Sequence, residues 1–186
     1  MSQNKTNFAV PLEFVGMMFF AIGFALGINS FLIPVLKGAL SLPSGVAYLL
    51  LAATFVPFLI FGYPASATIA KIGYKRTMAL SFLIFAVAFI LFVLSAKLEN
   101  FILFLIASFV SGAANAYLQA SVNPYITILG PIESAAKRMS IMGICNKLAW
   151  PVAPLFFALV VADQTNVQTS DLYLPFYIII GVFLLL

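Results

Sequence analysis

Four polar side chains recur at every fourth position through an otherwise apolar stretch: Ser111, Asn115, Gln119 and Asn123. Residues four apart share a helix face, so they form one stripe that drifts slowly around the helix. An amide in an apolar setting costs free energy unless something bonds it. Two uses fit the stripe. It could bond across to a neighbouring helix, which Gly112, Ala113, Ala114, Ala116 and Ala120 would allow to approach closely. It could also line a water-filled cavity, which suits three amides in register better than one. Pro124 follows directly and cannot donate to the Ala120 carbonyl, so a helix break beside the stripe is expected.

Two further groups have the same character. Asn29 and Ser30 precede Pro34, which by the same argument frees the Ser30 carbonyl and marks a second break. Gly23 and Gly27 thin that stretch near its middle. Asn146, Lys147 and Trp150 form the other group. Lys147 lies nine residues beyond Arg138, roughly 13 Å at 1.5 Å per residue. A base that deep in a bilayer is a functional candidate, unless it snorkels or pairs with an acid. Counted back from the short loop between them, Gln119 and Asn146 reach similar depth. Amides exchange hydrogen bonds with hydroxyls, and an indole packs on apolar C–H faces. Such a set suits a polyhydroxylated, uncharged ligand, and Lys147 leaves an anionic one open.

The elements that must position these groups follow from composition. Of 186 residues, 64% are hydrophobic and only 8% charged, with a mean hydropathy of +1.16. Soluble domains carry about 25% charged residues. The apolar runs are continuous rather than alternating, so an all-α membrane protein is expected and a barrel is not. At about 20 residues per span, six stretches qualify: 11–36, 44–69, 77–96, 101–129, 139–162 and 172–186. The first is too long for a signal-peptide core. The last has not ended at Leu186, so a chain cut inside a sixth helix, with a C-terminal half missing, is expected.

Charge sets orientation. Lys5, then Lys71, Lys75 and Arg76, then Lys137 and Arg138 fall on one side, while only Lys37 and Lys97 fall on the other. The loop DQTNVQTSD on that second side has acids and no base. A cytoplasmic N-terminus is expected. The net charge of +4 sits in these short clusters and does not point to nucleic acid. Histidine is absent and Cys145 is the single cysteine, so no metal site, intramolecular disulfide or Ser-His hydrolase is expected. No aspartate pair or Ser/Lys pair occurs in matching spans, which argues against an intramembrane enzyme.

A weak repeat is visible. NSFLIP (Asn29 to Pro34) and QASVNP (Gln119 to Pro124) each place an amide five residues before a proline. Pro57, and Pro151 with Pro154, fall in the second and fifth spans. Three-helix units of opposite orientation with matching interruptions make the 3+3 inverted repeat of secondary transporters, though prolines are common in membrane helices anyway.

The run VNPYITILGP (Val122 to Pro131) resembles the NPY-x-x-x-LGP signature of the fucose:proton symporter family of the major facilitator superfamily, which includes bacterial glucose/galactose transporters. GF-x-x-x-x-N (Gly23 to Asn29), LIP-x-LK (Leu32 to Lys37) and KIGYKR (Lys71 to Arg76) extend the similarity over nearly the whole chain, as an N-terminal six-helix half. The resemblance implies a secondary active transporter that imports a monosaccharide across the bacterial inner membrane by alternating access, without a cofactor. Substrate would meet Asn29, Asn115, Gln119, Asn123, Asn146 and Trp150. Lys147 and Ser30 would be the pocket or coupling positions, and Lys71, Gly73, Lys75 and Arg76 the gating loop.

Departures matter. The superfamily's loop motif has an acid where Ala70 stands and a glycine where Ser66 stands. The family's helix 1 aspartate is Ser30, and the glutamate of fucose carriers is Gln119, as in the glucose/galactose branch. No acid lies in the interiors of the first five spans, with Glu13 near the entrance of the first. The expectation is that this half does not bind the coupled proton, leaving proton or sodium coupling open. A sugar sensor of transporter fold, or a carrier of another polar solute, are the alternatives.

Overall fold

A computed structural model describes residues 9–161 and 167–186. Lys5, the expected end of the fifth span at Ala162, and the first part of the DQTNVQTSD loop lie outside the described residues. Within them every regular element is helical: α1 (Ala9–Ala39), α2 (Ser44–Ala47), α3 (Leu49–Lys97), α4 (Phe101–Ile128), α5 (Ala135–Val160) and α6 (Tyr173–Leu185), with 3-10 turns at Ile132–Ser134 and Thr169–Leu172. Among the described residues, four helical stretches are long and apolar enough to cross a membrane: Val10–Ala39, Ser44–Lys97, Phe101–Ile128 and Ile132–Val160.

Where stretches are expected at 44–69 and 77–96, α3 is two helical limbs that meet at a sharp turn. α3 is helical throughout except at Gly73, where φ is 81° and ψ 168°. A positive φ costs glycine nothing sterically, so the chain turns at one residue and needs no loop. Partners on α4 show that it reverses there. Before Gly73, Thr54 meets Gly112 and Phe61 meets Tyr117. After it, Tyr74 meets Tyr125 and Phe92 meets Phe104. The first limb therefore runs parallel to α4 and the second antiparallel.

The breaks expected at Pro34 and Pro124 are not interruptions. Both prolines lie inside continuous helices, which run on to Ala39 and Ile128. Each proline removes one backbone bond near a helix end, where the remaining turns still hold. Pro57, Pro64, Pro151 and Pro154 are likewise internal.

Phe82, Phe85, Phe89 and Phe92 are spaced to share one face of the second limb of α3. That face receives α6: Phe92 packs on Phe176 and Phe89 on Phe183, each with centroids 5.3 Å apart. Such ring pairs add about 0.5–1.5 kcal/mol beyond area burial. Thr169 Oγ1 donates to Glu99 Oε1 at 2.9 Å and ties the entry of α6 to the end of α3. Asn100 caps α4, accepting from the amides of Ile102 and Leu103.

α5 packs mainly on α1 and far less on α4. Its approach depends on two missing side chains. A Cβ at Gly23 would collide with the Asn146 carbonyl, and one at Gly27 with that of Trp150. Gly112 does the same service for α4 against Thr54 of α3. Small residues that let backbones touch are the usual means of helix association in lipid.

Candidate substrate-binding cleft

Where α1, α4 and α5 meet, a cleft of about 140 Å³ is lined by Phe19, Ile22, Gln119, Asn123, Gly143, Asn146 and Lys147. Gln119 and Asn123 stand one turn apart on α4. Asn146 and Lys147 come from α5, held close to α1 by the Gly23 contact. Asn146 Nδ2 donates to the Phe19 carbonyl at 3.1 Å, which fixes the amide and leaves its oxygen free to accept. The Gln119 and Asn123 side chains make no hydrogen bond among the described residues. Lys147 is the single charge on the lining. Its Nζ lies 5.4 Å from the centroid of the Trp150 ring, a cation–π contact. Trp150 does not line the cleft: it is half-buried one turn along α5, with Lys147 over its ring.

The other half of the α4 stripe is enclosed. Asn115 is 0% exposed and Asn29 of α1 is 1% exposed. Asn29 Nδ2 donates to Ala25 O at 3.0 Å and to Ser111 Oγ at 3.4 Å, which joins α1 to α4. Both amide atoms of Asn115, Asn29 Oδ1 and Ser108 Oγ have no hydrogen-bond partner among the described residues. Ser30 Oγ donates to Leu26 O within its own helix, at 3.2 Å. The structure thus gathers Gln119, Asn123, Asn146 and Lys147, and holds Asn29, Asn115 and Ser30 apart from them.

The family profile described as Major Facilitator Superfamily matches residues 15–186. The chain belongs to the Major Facilitator Superfamily. Similar proteins include the glucose/galactose transporter of Brucella abortus biovar 1 (strain 9-941), 31% identical over 170 residues, which cover 91% of this chain and 41% of that protein. The putative glucose/galactose transporter of Helicobacter pylori (strain J99) is 30% identical over 90% of this chain and 40% of its own. The L-fucose-proton symporter of Escherichia coli (strain K12) is 26% identical over 89% and 38%. In fold, the chain matches the Major Facilitator Superfamily transporter FucP in the outward conformation. The TM-score is 0.78 at 24% identity, covering 96% of this chain and 48% of that one. The chain spans less than half the length of these relatives. The superfamily and the apolar helices make it a multi-pass membrane protein, and its relatives are carriers, not enzymes.

The LGP end of the VNPYITILGP run, just past α4, has a physical reading. Gly130 has φ 115°, which glycine tolerates, and it turns the chain after Leu129. Arg138, on the first turn of α5, is 7% exposed and reaches back to this corner. Its Nε donates to Ile126 O at 3.2 Å, Nη2 to Thr127 O at 3.1 Å and Nη1 to Pro131 O at 2.9 Å, and Nη1 also meets Ser134 Oγ. The guanidinium closes carbonyls left over at the end of α4, where a cation suits the helix dipole. On charge counting Arg138 is only a topology signal. A sharper signal was its place in the first turn of a helix, where a cation opposes the dipole. Of the residues expected to form a gating loop, Lys71, Lys75 and Arg76 are exposed and Gly73 forms the reversal. Tyr74 places that loop on Tyr125 of the NPY run, with rings 6.0 Å apart.

Proposed function

We propose that this chain is the N-terminal half of a secondary active transporter that imports a monosaccharide of the fucose, glucose or galactose type by alternating access, coupled to protons. The observation that carries the reading is the convergence of three amides and one lysine on a single cleft. Gln119, Asn123 and Asn146 have hydrogen-bonding capacity that hydroxyls can take up, and Phe19 and Ile22 offer apolar wall to sugar C–H faces. Asn29 and Asn115 would reach substrate only after α1 and α4 part, and Trp150 would act through Lys147. A C-terminal half, supplied by sequence such as the longer relatives carry, would complete the site from the opposite side. No chemistry is done on the substrate. The bundles rock about a site near the membrane midplane.

In this reading α3 crosses twice, because its 49 residues far exceed the roughly 20 a crossing needs. With α6 that makes six spans. The 3+3 inverted repeat is supported by matched crossings: α1 meets α5 at Gly23 and Asn146, and α4 meets the first limb of α3 at Gly112 and Thr54. The basic loop at Gly73 faces the cytoplasm and gates, and the membrane is the bacterial inner membrane. The named fucose relative is a proton symporter, which favours protons over sodium.

The test uses the full-length protein in proteoliposomes with labelled glucose, galactose and fucose. An inward proton gradient should accumulate one of them, and a protonophore should abolish accumulation. Accumulation driven by sodium alone would contradict proton coupling. Failure to exchange labelled sugar in counterflow would remove the carrier reading in favour of a sensor.

A further inference from the structure

We infer that Arg138 is a positioning residue for the cleft: by tying the first turn of α5 to the last turn of α4, it sets the spacing between the amides on the two helices. The inference rests on the sugar-carrier reading of the cleft. Gln119 and Asn123 stand on α4, and Asn146 stands on α5. These two helices share little direct packing, because α5 lies mainly on α1. Besides α1, which touches both, the corner that joins them is where side-chain bonds link α4 to α5. A single guanidinium spans it, bonding Ile126 and Thr127 on one side and Pro131 and Ser134 in the connection.

The geometry suits a brace better than a surface charge. The group is 7% exposed, so its bonds are shielded from water. A planar fork with several donors fixes direction as well as distance, which a lysine ammonium does not. The corner is built to admit it: a Cβ at Gly130 would stand 3.3 Å from Arg138 Nη1. Asn123 lies only three residues before Ile126, so a shift of that last turn is felt at the cleft. Gly130 and Arg138 thus act on one contact from opposite ends. Changes at the two should add only in part, because Gly130→Ala strains the backbone at φ 115° as well as crowding the fork.

Two measurements on the full-length protein test this. Sugar uptake in proteoliposomes, with glucose, galactose and fucose as probes, is compared for Arg138→Lys, Arg138→Ala, Gly130→Ala and the double variant Gly130→Ala/Arg138→Ala. KM should rise about threefold for Arg138→Lys and about tenfold for Arg138→Ala. Turnover per folded molecule should stay within twofold, and Gly130→Ala should raise KM less in the Arg138→Ala background than alone. Spin labels at the exposed positions Ile128 and Ile144 read the helix spacing without any sugar. Arg138→Lys, the variant expected to fold best, should broaden or shift that distance. An unchanged distance overturns the inference even where no probe sugar is carried. A changed distance with no uptake by the parent protein would leave the brace standing and remove the sugar reading. Unchanged KM with lowered abundance would reduce Arg138 to a folding role and sink the proposal.

Discussion

The two halves of the α4 stripe carry the same chemistry and have different surroundings. Asn115 sits on α4 behind α1, wholly buried, with neither amide atom bonded. Gln119, one turn on, opens into the cleft with Asn123 and faces α5. What separates them is the neighbouring helix. Asn29 of α1 bonds Ser111 and so closes α1 over the first half of the stripe. By the second half, α1 presents Phe19 and Ile22, and α5 stands beside it. An amide's role is therefore decided by which helix covers it. An unpaired buried amide costs about 1–3 kcal/mol, so Asn115 is an expense to this conformation.

The sharpest way to break this contrast is to remove what holds α5 in place. Gly23→Val drives two methyl groups towards the Asn146 carbonyl, which is backbone and cannot give way. Overpacking costs about 1–3 kcal/mol, and a backbone collision lies at or above the upper end. Thermal unfolding should show that loss, with uptake abolished, while Gly62→Val, with nothing near its Cβ, should leave both almost unchanged. Next come the cleft amides. Asn146→Ala and Gln119→Ala should each raise KM for sugar about tenfold or more, about 1.4 kcal/mol, with unfolding temperature little altered. Unaltered KM in both would show that the cleft is not the binding site.

The enclosed half should answer in the opposite sense. Asn115→Leu removes two unpaired buried atoms and keeps the branched shape but adds methyl bulk, so stability should rise by less than the about 1–3 kcal/mol that the unpaired amide costs, with KM within twofold. A fall in stability would mean that Asn115 has a partner in the membrane-embedded protein. The smallest effect is expected at Lys147. Lys147→Met removes a cation–π contact worth about 0.5–1 kcal/mol at an exposed site. Uptake of neutral sugars should change less than threefold, and a larger loss confined to acidic sugars would point to an anionic substrate.

Much of this was legible in the residues. The continuous apolar runs announce helices, and VNPYITILGP announces the family. The periodicity of Gln119 and Asn123, with Asn146 and Lys147 at matching depth, points to one cleft. The rest depends on contacts that periodicity does not encode. Spacing places Asn115 on the same face as Gln119 but cannot say that Asn115 is buried while Gln119 opens into a cleft. Pro34 and Pro124 look like breaks, yet a proline near a helix end costs one bond and the helix continues. KIGYKR reads as a loop because it is polar, whereas one positive φ at Gly73 reverses the chain without one. Trp150 reads as a sugar platform, but it stands outside the cleft lining, with Lys147 Nζ 5.4 Å from its ring centroid. Arg138 reads as a topology charge because its partners are backbone carbonyls, which every sequence has.

The central claim is that the cleft half of the stripe, and not the enclosed half, meets the sugar. Counterflow of labelled sugar in proteoliposomes tests it most directly, with Gln119→Ala and Asn115→Leu measured side by side at sugar below KM. The account predicts at least a tenfold loss of exchange for Gln119→Ala and parent-like exchange for Asn115→Leu. Equal losses, or loss confined to Asn115→Leu, would contradict it.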